Sequence, residues 1–140
     1  VNKMIAIEDE RNLDKIETLK AFDQKLMGLR EKTRKLISQW KESNASIAGY
    51  GAARSGQTLI SQYGFEGVIE YIVDDHPQKV HKYPAGDGIQ VIPTKELLKK
   101  MPDYTIILAW VHAEKIVKNN KSYLDNGGHF VTLSPELKVI

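Results

Sequence analysis

The sequence predicts an α/β fold: a three-layer parallel sheet with helices on both faces, preceded by one long N-terminal helix. Three observations predict it. From Ser46 onward short apolar runs alternate with helix-like runs, and such alternation assembles into parallel sheets joined by right-handed crossovers. A glycine turn, Gly49-Tyr50-Gly51-Ala52-Ala53-Arg54-Ser55-Gly56, separates the first of these strands from the first of these helices. Ahead of it, Asn12 to Lys41 runs without proline and with Gly28 as its one glycine, which reads as a continuous helix.

Within that helix Leu19, Phe22, Leu26, Leu29, Thr33, Leu36 and Trp40 fall alternately three and four residues apart, with Glu17, Lys20, Lys25, Arg30, Lys32 and Arg34 off the stripe. This is a heptad-like amphipathic pattern. At ~1.5 Å per residue the helix reaches about 40 Å, more than a small α/β core needs. Two readings stay open: the stripe packs on its own sheet, or part of it meets another domain or a second copy of the chain. Thr33 in the seam weighs against an autonomous coiled coil. The chain divides accordingly into a helical arm over residues 1–42 and an α/β domain over 43–140.

The remaining elements follow in order. Ser46–Tyr50 is a strand and Ala52–Tyr63 a helix that Gly64 stops. Val68–Val73 is a strand, followed by a long loop from His76 to Gly88 and a brief extended run, Ile89–Ile92. Thr94 starts a short helix through Lys99, and Met101-Pro102-Asp103 ends it. Tyr104–Ala109 is a buried-strand run, His112–Leu124 a helix ended by Asn126-Gly127-Gly128, and His129–Leu133 the last strand. No internal repeat or low-complexity tract interrupts the series.

Composition sets the outer limits. The 140 residues, 41% apolar and 27% charged, suit one domain with an extra arm. A net charge of +2, with basic and acidic residues interleaved, gives no footprint for nucleic acid. No run of 18 apolar residues is present, so no transmembrane helix or membrane partner is expected. The absence of cysteine excludes disulfides and thiolate metal sites and fits a reducing cytoplasm. The start at Val1 suggests a processed chain or an excised piece of a longer one.

Ligands of open α/β sheets sit beyond the carboxyl ends of the strands. The residues just past those ends are Tyr50-Gly51-Ala52, Asp74-Asp75-His76, Trp110-Val111-His112 and Ser134-Pro135. Together they describe one crevice with a phosphate turn, a ribose-type carboxylate, an aromatic wall and a histidine. The candidate binding residues are therefore Gly49, Tyr50, Gly51, Ala52, Arg54, Gly56, Asp74, Asp75, Trp110 and His112.

Each candidate also has a plainer reading. Helix N-termini attract phosphate, and Arg54 could pair with one bidentately. A dinucleotide fingerprint, however, places its third glycine where Arg54 stands, and glycines permit a sharp reversal with or without a ligand. Asp74 and Asp75 can be loop caps, Trp110 packing, and His112 a harmless helix-start imidazole. The four histidines lack metal-ligand spacing, no nucleophile elbow or P-loop is present, and no catalytic residue is identified.

Beyond single residues, the chain from Leu13 to Ile140 resembles the C-terminal domain of bacterial S-adenosylmethionine-dependent C-methyltransferases associated with deoxysugar biosynthesis. Four motifs in order carry the likeness: Gly49 to Gly56 is similar to a GYGAAxKG turn, Val73-Asp74-Asp75-His76-Pro77-Gln78-Lys79 to VVD-x-x-P-x-K, Pro102 to Trp110 to PDY-x-x-x-LAW, and Gly127-Gly128-His129-Phe130-Val131 to GG-x-F-I. The resemblance implies a Rossmann-like domain that completes the sugar-nucleotide side of a cleft. It also implies that this domain binds no cofactor itself, S-adenosylmethionine and the catalytic residues belonging to a preceding domain. The implied partners are a weakly bound nucleotide or nucleotide-sugar and that catalytic domain. The chain departs from the pattern at Arg54 (lysine in the family), in the degenerate loop Pro84-Ala85-Gly86-Asp87-Gly88-Ile89-Gln90-Val91, and at Val111, where asparagine is usual. A stand-alone NAD(P)- or nucleotide-binding module and a structural domain that self-associates through its long helix remain the alternatives.

Overall fold

The computed structural model describes residues 1–84, 86 and 88–140. Ala85 and Asp87, in the loop read as degenerate, lie outside the described residues. The elements are α1 (Asn2–Glu10), α2 (Ile16–Glu42), β1 (Ile47–Tyr50), α3 (Arg54–Tyr63), β2 (Tyr71–Val73), β3 (Gln90–Ile92), α4 (Glu96–Lys100), β4 (Tyr104–Ile107), a 3-10 turn at Trp110–His112, α5 (Ala113–Asn119), α6 (Lys121–Asp125), β5 (His129–Thr132) and β6 (Lys138–Val139). The strands form one six-stranded sheet in the order β3-β2-β1-β4-β5-β6. The first five are mutually parallel, and β6 joins antiparallel to β5.

Alternate residues of each strand face opposite ways, and the sheet is apolar on both sides. Ile72, Ile106 and Val131 join a cluster with Ile37, Trp40, Ile60 and Tyr63 of α2 and α3. Their neighbours Val73, Ile107 and Phe130 join a second cluster with Leu97, Ile116 and Tyr123 of α4, α5 and α6. The result is a mixed α/β fold with helices against both faces of a mostly parallel sheet, and an N-terminal helix ahead of it.

Several sequence expectations shift. The long helix expected over Asn12–Lys41 is α2, starting four residues later at Ile16, and a separate, unexpected helix α1 precedes it; between them Asn12 has a φ of 52°, and asparagine tolerates the left-handed region better than most residues. The heptad stripe is half used. Of the stripe, Thr33 and Trp40 are buried, as is Ile37 beside it, Leu29 and Leu36 pack against the core, and Trp40 stacks on Tyr104 at 4.5 Å. Leu19 and Phe22 are exposed. Thr33 fits the seam because its Oγ1 donates to the Leu29 carbonyl at 2.9 Å. Arg30 donates to the carbonyl and side-chain oxygens of Gln62, tying α2 to the end of α3.

The helix expected over His112–Leu124 is interrupted at Asn120. The Asn120 side chain donates to the Ile116 carbonyl at 2.7 Å and to the Tyr50 hydroxyl at 3.3 Å, and side-chain bonding of this kind competes with helix continuation. Strand β6, beyond the expected last strand, was not foreseen. Its short Lys138-Val139 segment carries too little period-2 pattern to stand out. Gly64 ends α3 in the left-handed conformation, as its position implied.

Candidate functional site

Where β1 ends, the chain turns on Gly51 (φ +86°) and enters α3. Each glycine of the turn is fixed by packing. A Cβ on Gly49 would lie 2.8 Å from Leu108 Cδ1 and 3.0 Å from Ile72 Cγ1, and one on Gly51 would lie 2.5 Å from Ala109 Cβ. At Gly56 it would lie 3.3 Å from Leu108 Cβ. Gly56 thus provides the close helix-on-strand approach that a dinucleotide fingerprint assigns to its third glycine, although Arg54 holds that sequence position.

Four backbone N–H groups of the turn, those of Gly51, Ala52, Ala53 and Gly56, are engaged internally. Gly51 donates to the Val73 carbonyl at 2.8 Å, Ala53 to Gly51 at 2.7 Å and Gly56 to Ala53 at 2.9 Å. Ala52 donates to Asp74 Oδ2 at 2.8 Å, His76 N–H reaches Asp74 Oδ1 at 2.8 Å, and Lys79 Nζ stands 3.2 Å from Oδ2. Burial pushes the Asp74 carboxyl up, but the His76 and Ala52 N–H groups and the Lys79 ammonium outweigh it and hold it below the usual value. Asp75 accepts from Thr94 N–H at 3.0 Å, joining the ends of β2 and β3. Arg54 opens α3 exposed to solvent.

A shallow hollow of about 220 Å³ lies beside this turn, lined by Ala52, Gln78, Lys79, Lys82, Tyr83, Pro84 and Val91. Beyond β4 and β5 the same sheet edge is more open. There a cleft of about 900 Å³ is bounded by the Trp110–His112 turn, α5, the start of α6, and the Thr132–Ile140 return. Trp110 is 38% exposed on its wall, beside His112, Ser134 and Pro135.

The ten residues singled out from sequence therefore do not surround one crevice. Trp110 and His112 share the large cleft, and Ala52 lines the small hollow. Asp74 braces the turn and Asp75 braces β3, while Gly49, Gly51 and Gly56 are packed between strands and helix. Tyr50 points its ring to the other side, edge-on to Phe130 at 6.1 Å. Sequence reading missed the lysines of the large cleft, Lys115, Lys118, Lys121 and Lys138. Lys115 and Lys118 are spaced for one helix face, but Lys138 joins them through a strand that the sequence did not announce.

Fold and edge define a class: an α/β domain that presents the carboxyl ends of parallel strands, with no catalytic constellation identified from its sequence. The sequence profile of the C-methyltransferase C-terminal domain family matches residues 1–135, and the chain belongs to that family. C-methyltransferase NovU of Streptomyces niveus is 30% identical over 141 aligned residues, covering 100% of this chain and 34% of the relative. The chain thus spans about a third of the length of the curated relative it matches. No helix among the described residues is long and apolar enough to cross a membrane.

Proposed function

We propose that this chain is the substrate-side domain of an S-adenosylmethionine-dependent C-methyltransferase, contributing the sugar-nucleotide side of a cleft whose chemistry belongs to another domain. The observation that carries the reading is the strand order. β3-β2-β1-β4-β5 is the arrangement of a Rossmann-like sheet, whose order reverses between β1 and β4, and ligands of such sheets lie beyond the strand ends at that reversal. Family membership and the likeness to NovU supply the reaction class.

S-adenosylmethionine is poorly served by the glycine turn. Asp74, the carboxylate placed for ribose hydroxyls, already accepts from Ala52 and His76 and pairs with Lys79. On this reading Gly49, Gly51, Gly56 and Asp74 hold the edge rigid, and Trp110 and His112 face the substrate.

An amide-resonance titration of the chain tests the assignment against S-adenosylmethionine, NAD(H), NADP(H), dTDP and a dTDP-sugar. Shifts with the dTDP ligands alone, along the strand-end edge, are expected. Tight S-adenosylmethionine binding at Gly49–Gly56 would overturn the division of labour, and micromolar NAD(H) binding (~8 kcal/mol) would make the chain a dinucleotide module instead.

A further inference from the structure

We infer that the cleft between the Trp110–His112 turn, α5 and β6 is a nucleoside-diphosphate site, with Trp110 as the platform for the base and Lys115, Lys118, Lys121 and Lys138 as the phosphate ligands. The inference rests on the substrate-side reading and deepens it by moving the ligand one strand along the same edge, from the reversal between β1 and β4 to the gap beyond β4 and β5.

Four observations point there. First, the cleft's volume of about 900 Å³ falls in the range of small-molecule sites, about 300–1,000 Å³. Second, four lysines line it against two carboxylate side chains, Glu114 and Glu136, and the Ile140 end of the chain. Among the described residues the ion pairs are Lys15–Asp14, Lys79–Asp74 and Lys99–Glu96, so none of these four ammonium groups has a carboxylate within bridging distance. Unneutralised cations gathered around an apolar hollow attract an anion. Third, the lysines come from different elements. Lys115 and Lys118 stand on α5, Lys121 opens α6, and Lys138 lies on β6. A diphosphate approached from two walls would be held by several charge-assisted bonds.

Fourth, the rest of the lining fits a planar ring. Trp110 is exposed on the wall, and Val111, Ala113, Val117 and Pro135 provide apolar surface around it. Base–aromatic stacking is worth about 1–3 kcal/mol by substitution. A simple inorganic anion would leave this surface unused.

By contrast, the turn between β1 and α3 has little to give a phosphate. Gly51, Ala52, Ala53 and Gly56 have spent their N–H groups, leaving only those of Arg54 and Ser55 at the exposed start of α3, and the Asp74 carboxylate sits against the turn, where it would repel a second anion.

The test is two-dimensional NMR of the 140-residue chain with dTDP, inorganic pyrophosphate and a poly-glutamate peptide. The chain has two tryptophans, and Trp110→Phe assigns the indole resonances. With dTDP, the Trp110 indole and the amides of 111–118 and 132–138 are expected to shift, and Trp40 to stay. In Lys118→Gln/Lys121→Gln the Kd should rise about tenfold or more, a loss of about 1.4 kcal/mol or more, whereas Lys20→Gln should leave it unchanged. Raising the salt should weaken binding, as exposed charges are screened. Binding with shifts confined to 49–56, or unchanged affinity in the double variant, would overturn this site and leave the substrate-side reading standing. Equal affinity for pyrophosphate with a silent indole would remove the base platform, and equal affinity for poly-glutamate would make the cleft a protein-docking surface. If no nucleoside diphosphate binds anywhere on the chain, both the site and the substrate-side reading fall.

Discussion

Two strand-to-helix passages leave the same edge of the sheet, β1 into α3 and β4 into α5, and they are built in opposite ways. The first is sealed. Gly51 is pressed against Ala109, and Asp74 closes over the turn with bonds from Ala52, His76 and Lys79. The second is open, passing through a 3-10 turn that leaves Val111 69% exposed and lets Trp110 and the lysines of α5 and α6 line a cleft. Resemblance to a nucleotide-binding motif is therefore strongest on the side with the least room. Glycines recur in such turns because two layers of backbone must approach closely, and that need is present whether or not a phosphate arrives.

The sharpest way to break the comparison is Gly51→Val. The new side chain meets Ala109 in a backbone conformation unfavourable to L-residues, and a loss of about 3–5 kcal/mol is expected in urea unfolding. A loss below about 1 kcal/mol would mean that the turn is not packed as described.

Next comes Asp74→Asn, which removes a charged acceptor from two N–H groups and an ammonium and should cost about 1–3 kcal/mol at neutral pH. The sign with pH follows from the direction of the shift. A carboxyl held below its ordinary value of 3.8 stabilises the fold above that value, and the gain disappears as pH falls through the lowered folded value. The gap between wild type and Asp74→Asn should therefore be full at pH 6 and close progressively below about pH 4. A gap that persists unchanged at pH 2 would show that the carboxylate charge is not what braces the turn.

On the open side the smallest stability effect is expected. Lys118 and Lys121 are exposed, and neither takes part in an ion pair among the described residues. Lys118→Gln/Lys121→Gln should shift unfolding by no more than about 0.5 kcal/mol. A larger loss would give these lysines a structural duty and erase the contrast between the two sides.

How much of this was legible in the sequence depends on the length over which a signal acts. The parallel core was legible in part: the apolar runs at Val68–Val73 and Tyr104–Ala109 mark β2 and β4, as buried parallel strands do, but β2 is only Tyr71–Val73, Val68 to the exposed Glu70 lying ahead of it, and β4 ends at Ile107. Helix ends set by local chemistry were legible too, Gly64 being the clearest. The break at Asn120 was not, since its side chain, besides bonding the Ile116 carbonyl locally, also donates to a hydroxyl contributed by Tyr50, seventy positions earlier. Nor was the assignment of Asp74, because a carboxylate that binds a ribose and one that binds its own backbone have the same sequence. The lysine cleft escaped for a similar reason: its walls are set by the pairing of β6 with β5, a long-range fact with a two-residue footprint.

Helix α2 has one further consequence, for the rates at which its amides exchange hydrogen with solvent. From Thr33 to Trp40, opening the helix means pulling Ile37 and Trp40 out of the core, so those amides should exchange only with global unfolding. Before Gly28 the helix has no buried residue, and such a segment is marginal in water by itself, so its amides should exchange through local fraying. The boundary between slow and fast amides then marks where the body's hold on the helix ends. Anything that settles on Leu19 and Phe22 would push that boundary toward the N-terminus, turn by turn.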